Sequence, residues 1–277
     1  MSKVSLQRQT IVSVGEIAGL GVRCREQITV RLVPAEAGCG ITLTRSDLDI
    51  TWPVDLEHVR PVPNCSAIGD QRGEVAFVEH LMAALWAAGI SDVRIDVDGP
   101  ELPLLDGSAL PFWIMLQEAG VQPLAGEFEP IRVTEPIFQV DGEKALIALP
   151  AESGRFSYSL VHPHPTIGHQ FADFGTELHK FGEELAPART FVTDDELGKL
   201  REAGLIGGGS EENCLIVHEN GYSERPFAGN AFARHKLVDL LGDLYLLGRP
   251  LQAHVVAYRT GHIDNRALCR RLIQTSG

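Results

Sequence analysis

The chain has 277 residues, 44% of them hydrophobic and 22% charged, with a formal net charge of −13 at pH 7. That composition belongs to a globular protein long enough for two ordinary domains. The negative balance argues against a nucleic-acid partner and against a basic patch for an anionic membrane. Five cysteines (Cys24, Cys39, Cys65, Cys214 and Cys269) are scattered without a C-x-x-C pair, so they read as reduced structural thiols. Met1 to Gly15 has no signal-peptide core, and no stretch approaches the ~20 apolar residues of a membrane span. A soluble, cytoplasmic protein without membrane insertion is expected.

In chain order, Gln27–Leu32 and Gly40–Thr44 alternate as strands and are expected to pair around a glycine-containing turn. Val78–Ala88 reads as a helix with a small-residue face, and Asp92–Val97 as a further strand. Ser108 is expected to cap a helix running to about Glu118, with Pro111 in its first turn. Gly120–Pro130, with two glycines and two prolines, reads as a linker.

Ile131–Thr134, Ile137–Val140, Lys144–Leu149 and Phe156–Val161 are strand-like. Helical patterns follow near Thr176–Leu185, Asp194–Ala203 and Asn230–Leu247, then a strand at Leu251–Tyr258 and a last helix from about His262. Strands followed by helices, twice, predict an α+β fold. Its two similar domains, 1–123 and 128–277, would each layer helices on a mostly antiparallel sheet, with a shared site between them.

Three segments carry chemistry. In Arg234–Asp243, His235, Asp239 and Asp243 recur every four residues and stack on one face of a helix otherwise rich in leucine. Carboxylates and an imidazole buried there need a cation or a charge partner. A divalent metal on His235 and Asp239 answers that need; a salt-bridged face using Arg234 and Lys236 answers it too.

Glu79–His80 opens the apolar helix and reads either as a capping acid with a satisfied histidine or as the missing part of a metal site. A hydrolytic zinc takes three protein ligands and keeps one position open, and His80 would complete the set, with Glu79 placed to take a proton from water. His262 follows a strand and a glycine turn. It reads as a helix-cap histidine or as a proton donor oriented by Asp243.

Together these segments resemble the UDP-3-O-acyl-N-acetylglucosamine deacetylases of lipid A synthesis. The matching runs are VEHLMAAL (78–85), ELPLLDGSALPF (101–112), ARTF (188–191), GGGSEENCLIV (207–217), HKLVDLLGDL (235–244) and AYRTGHIDN (257–265).

The resemblance implies zinc, or alternatively iron(II), on His80, His235 and Asp239, with Glu79 as general base and His262 as general acid held by Asp243. Thr190 would stabilise the oxyanion, and Lys236, Phe191, His162 and Arg259 would contact the substrate. It further implies two facing α+β domains, a small βαβ insert at about 191–217, and a monomer acting on an acylated UDP-amino sugar to release acetate.

The departures from the family fall where the substrate is chosen. The family's Gly-x-Gly-Leu-His run reads Gly19-Leu20-Gly21-Val22-Arg23 here, and His162 stands where the family packs an aromatic on uracil. The insert, which the family lines with apolar groups around a fatty acyl chain, carries Asp194, Asp195, Glu211 and Glu212. Either these acids enter the passage, or they face solvent while Leu197, Leu205, Ile206 and Cys214 line it. The alternatives are therefore a zinc N-deacetylase for another amino-sugar derivative, acylated or unacylated, and a metal-holding binding protein without turnover. Gly207–Ser210 lacks the lysine of a phosphate loop, and Gly19-x-Gly21 lacks a dinucleotide context.

Overall fold

Apolar residues at every second position make strands with one wet and one dry face. In the computed structural model, which describes residues 5–203 and 210–275, such strands build a five-stranded and a six-stranded sheet. The first contains β2 (Gly15–Leu20), β3 (Gln27–Pro34), β4 (Ile41–Arg45), β5 (Ile50–Pro53) and, after further elements, β9 (Val93–Val97). β1 (Leu6–Ile11) precedes them. The small strands β6 (Val59–Arg60), β7 (Ala67–Asp70) and β8 (Gly73–Ala76) form a separate three-stranded sheet, and α1 (Glu79–Ala87) follows. α2 (Leu110–Ala119), β10 (Val121–Phe128) and β11 (Ile131–Arg132) lead to the second half.

There, β12 (Ile137–Asp141), β13 (Lys144–Pro150), β14 (Arg155–Val161) and β15 (His169–Phe174) precede a 3-10 turn at Leu178–Lys180 and the single-turn α3 (Phe181–Glu184). Next come β16 (Phe191–Thr193), α4 (Asp194–Glu202), β17 (Leu215–His218) and β18 (Gly221–Tyr222). The chain then runs through α5 (Ala231–Tyr245), β19 (Leu251–Tyr258) and α6 (His262–Thr275).

The two large sheets have the same pairing. The first runs β2-β3-β9-β4-β5 and the second β12-β13-β19-β14-β15, where the short β11 also joins β19 in parallel. In each, the two outer pairs on either side are antiparallel, as are β3–β9 and β13–β19, while β9–β4 and β19–β14 are parallel. The helices repeat as well: α1 and α5 precede the central strands β9 and β19, and α2 and α6 follow them. The α+β class is as the sequence predicts. One hydrophobic cluster, with Leu32, Leu43, Ile95, Leu146, Phe156 and Val255 from the sheets and Leu81, Leu237 and Leu241 from the helices, runs through both halves. The small insert forms as read: β16 and β17 are parallel, with α4 between them packing on both.

Several expectations need correction. β3 and β4 do not pair with each other, because β9 lies between them. Alternation states which face is buried and says nothing of which strand is the neighbour. Gly120–Pro130 is mostly strand: β10 pairs antiparallel with β1, with an irregularity between Gln7 and Gln9 where the register jumps to Pro123. A two-stranded ribbon has free edges and so tolerates proline that a central strand would reject. Ser108 sits one residue outside the cap position, Ala109, although its hydroxyl accepts from Leu110 N–H at 3.1 Å. The helical pattern at Thr176–Leu185 shortens to the 3-10 turn and α3.

Candidate active site

Both helices that flank the centre are buried on all sides. All nine residues of α1 are buried, including Glu79 and His80, and so are His235, Asp239 and Asp243 of α5. The two helices approach closely at Gly242. A Cβ placed there would lie 2.0 Å from the Glu79 carbonyl oxygen, so only glycine lets the backbones meet. That contact brings the ends of two helices far apart in sequence into one polar cluster.

The candidate donors of His80, His235 and Asp239 all lie within 4.8 Å of one another. His80 Nε2 is 3.6 Å and His235 Nε2 3.5 Å from the same Asp239 oxygen, Oδ1. Tetrahedral zinc with bonds near 2.1 Å separates its ligand atoms by ~3.4 Å, so the donor set fits a metal ion. His235 Nδ1 is 3.0 Å from the Ala188 carbonyl, which fixes the ring and leaves Nε2 toward the cluster. Burial lowers the His235 pKa to about 3 despite the nearby Asp239, so the ring is neutral and its lone pair is available. Burial also pushes the Asp239 carboxyl upward, but His235, Lys236 and a hydrogen bond from His80 hold it well below the usual range.

Around this cluster stand Glu79 and His262. Burial raises the Glu79 carboxyl, and the neighbouring His262 and His80 partly offset the rise. His262 Nδ1 lies 2.8 Å from Asp243 Oδ2, and His262 Nε2 lies 3.9 Å from Asp239 Oδ2. Burial disfavours the imidazolium, yet Asp243, with Asp239 and Glu79 behind it, outweighs burial and lifts the His262 pKa to about 9. The ring is therefore a cation at neutral pH.

Thr190, Phe191, His162, Lys236, Arg259 and His262 all line one pocket of about 950 Å³. Thr190 is fixed by its backbone, donating to the Gly107 carbonyl at 2.7 Å and accepting from Leu215 N–H at 2.8 Å. The Phe191 ring packs on Phe232 with centroids 4.6 Å apart and lies 6.1 Å from His235. Lys236 Nζ pairs with Asp239 Oδ2 at 2.7 Å, and Arg259 Nη1 pairs with Glu143 at 2.7 Å. His162 is 3.7 Å from Glu196. All eleven predicted site residues thus lie in the cluster or along this pocket.

A profile of the UDP-3-O-acyl N-acetylglycosamine deacetylases matches residues 8–274. The chain belongs to that family. Proteins named UDP-3-O-acyl-N-acetylglucosamine deacetylase are similar along almost their whole length. That of Leptospira biflexa is 37% identical over 269 residues, covering 96% of this chain and 89% of its own. That of Synechocystis sp. is 38% identical, covering 96% and 98%, and that of Myxococcus xanthus 35%, covering 99% and 88%.

Within this deacetylase family member, the structure adds residues that sequence reasoning missed. Arg189, quoted above only as part of a matching run, ties three loops together: it donates to the carbonyls of Asp106, Glu211 and Glu212 and pairs with Glu224. Ser66, Asn265 and Arg266 surround Asp243 or its partner. Nothing in the spacing of these residues announces their meeting, because it depends on tertiary packing.

The insert's acids are resolved too. Asp194, Asp195, Glu211 and Glu212 are exposed, and Asp194 pairs with His218 at 3.0 Å. The reading in which they enter the passage is therefore set aside: Val192, Leu197, Leu200, Cys214 and Ile216 line the pocket instead. Leu205 and Ile206 lie outside the described residues. Among the described residues, no helix is long and apolar enough to cross a membrane.

Proposed function

We propose that this chain hydrolyses the N-acetyl group of UDP-3-O-(3-hydroxyacyl)-N-acetylglucosamine, releasing acetate in lipid A synthesis, with zinc held by His80, His235 and Asp239. The observation that carries the reading is the meeting of these three donors with Glu79 and the His262–Asp243 pair at one buried point. Bound zinc supplies Lewis-acid polarisation of the acetamide carbonyl and brings water within reach of a carboxylate base. Glu79, its pKa raised by burial, takes the proton from water. The Thr190 hydroxyl donates to the oxygen that gains charge. His262, held as a cation by Asp243, gives its proton to the departing amine nitrogen.

Lys236 and Phe191 hold the sugar against the cluster, His162 packs on the nucleotide base, and Arg259 offers a guanidinium toward the anionic nucleotide side. The apolar stretch of the pocket at Leu197, Leu200 and Ile216 takes the acyl chain, each buried methylene contributing ~0.8 kcal/mol. The repeated sheet pattern supports two domains meeting at the site. The stretch between the two proposed domains, 1–123 and 128–277, lies within β10, which pairs with β1. The reading carries with it a cytoplasmic monomer.

The test is acetate release by the zinc-loaded protein from the acylated UDP sugar, with UDP-N-acetylglucosamine alongside. Turnover of the acylated compound alone supports the assignment. No turnover by protein shown to hold its metal sinks it, and equal turnover of both compounds transfers it to an unacylated substrate. Metal analysis after expression with zinc or iron(II) supplied separately decides the ion.

A further inference from the structure

Asp243 and Glu79 sit on different helices, yet one residue outside both helices hydrogen-bonds to each. Ser66, fully buried just before β7, donates its backbone N–H to Glu79 Oε2 at 2.9 Å and its hydroxyl to Asp243 Oδ1 at 2.5 Å. Its carbonyl accepts from Val78 N–H at 3.3 Å, so the residue is held on both sides. Arg266, 3% exposed, donates to the Ser66 hydroxyl at 3.1 Å and to the Cys65 carbonyl at 2.9 Å. The hydroxyl proton is thereby directed at Asp243, because the oxygen already accepts from a cation.

The consequence at Asp243 is a carboxylate with assigned oxygens. Oδ2 faces His262 Nδ1 and accepts from Asn265 Nδ2, each at 2.8 Å, while Oδ1 is occupied by Ser66. Three partners from two segments, Ser66 before β7 and His262 with Asn265 on α6, fix the rotation of the carboxylate, and the carboxylate fixes the ring of His262. At Glu79 the same residue occupies one oxygen, Oε2, and leaves Oε1 for proton transfer.

We propose that Ser66, braced by Arg266, is a positioning residue that sets the base and the acid relative to each other. The inference rests on the reading of Glu79 as base and His262 as acid. Removing the hydroxyl leaves a buried Oδ1 without its donor and frees the carboxylate to turn, so His262 loses its aim while substrate contacts are untouched. The backbone link to Glu79 survives in any side-chain variant, so the loss is felt through the acid.

The experiment compares S66A and S66T with E79Q, H262Q and D243N, measuring kcat, KM, bound zinc and thermal midpoint with the acylated UDP sugar. S66A is expected to lower kcat by about 10- to 100-fold, with KM and zinc content kept. S66T, which restores the hydroxyl, is expected to recover most of it. In the D243N background S66A should have almost no further effect, because the hydroxyl acts through that carboxylate.

If E79Q and H262Q keep the parent kcat, the catalytic reading itself fails. If they lose it while S66A retains the parent kcat, or adds its full effect on top of D243N, the positioning inference is overturned. Should S66A be too unstable to assay, R266Q takes its place, and an unchanged kcat in that folded variant overturns the proposal equally.

Discussion

The two sheets share a pairing pattern but not a surface. On the solvent face of the first, the register aligns Glu16, Arg31, Asp96, Thr44 and Thr51 across five strands. Ion pairs Arg31–Glu16 at 3.1 Å and Arg94–Asp96 at 2.9 Å tile it, with a Thr44–Thr51 hydrogen bond at 2.9 Å. The corresponding row of the second sheet reads Phe138, Ile147, Val256, Ser157 and Asp173, and the next row Val140, Ala145, Tyr258, Ser159 and Phe171. Phe138 is 59% and Val140 69% exposed. The inner faces are alike, built from Ile28, Val30, Ile95 and Leu43 in one and Leu146, Ala148, Val255 and Phe156 in the other. Burial of the inner positions therefore decides the topology, and the outer positions were free to diverge.

The same contrast holds for the helices. α1 and α5 occupy equivalent places, and each brings polar groups to their mutual contact. α6 brings His262 in its first turn, whereas α2 begins with Leu110 and Pro111 and brings no titratable group there. The site is thus asymmetric on a symmetric frame: α1 supplies one proposed ligand, His80, and the proposed base, Glu79, while α5 supplies the proposed ligands His235 and Asp239 and the Asp243 that holds His262.

Breaking that division should have graded effects. His80→Ala on α1 and His235→Ala on α5 each remove one of three ligands, so both should emerge from dialysis without metal and without activity, as metal analysis and the acetate assay will show. If only the α5 variant lost its metal, the shared site would be wrong. Glu79→Gln keeps shape and metal but removes the base, and should lower kcat by about 10²- to 10⁴-fold. Gly242→Ala drives a Cβ into the Glu79 carbonyl and should cost about 3 kcal/mol or more, read as a lowered denaturation midpoint.

A smaller effect is expected from pH. The folded pKa of His262, about 9, lies above its ordinary 6.5. Its pairing therefore stabilises the fold fully below about pH 6.5, and that contribution disappears as pH rises through 9. Metal-free parent protein should lose more thermal stability between pH 6.5 and 9.5 than His262→Gln does; equal losses would refute the pairing. Smallest of all, Phe138→Thr makes the second sheet's outer face resemble the first and should change stability by no more than about 0.5 kcal/mol.

Local spacing made part of this molecule readable in advance. His235, Asp239 and Asp243 share a face because a helix turns every 3.6 residues, and an apolar helix that carries them asks for a cation. Glu79–His80 gained weight from the ligand that His235 and Asp239 still lacked, and His262 from Asp243; the helix of the insert was legible in its pattern, while its βαβ arrangement followed from the resemblance. Alternation likewise marked β3, β9, β13 and β19 as strands.

Tertiary structure decided what spacing cannot encode. Neither the insertion of β9 between β3 and β4 nor the pairing of β10 with β1 is written in alternation, because strand partners are chosen across long loops. Asp194, Asp195, Glu211 and Glu212 turned out to face water, since only the packing of α4 on β16 and β17 says which side lines the pocket. Gly242 matters because another helix lies against it, and Ser66 matters because it meets carboxylates 13 and 177 positions away. Such contacts arise when separate segments bury a common core, and no local pattern records them.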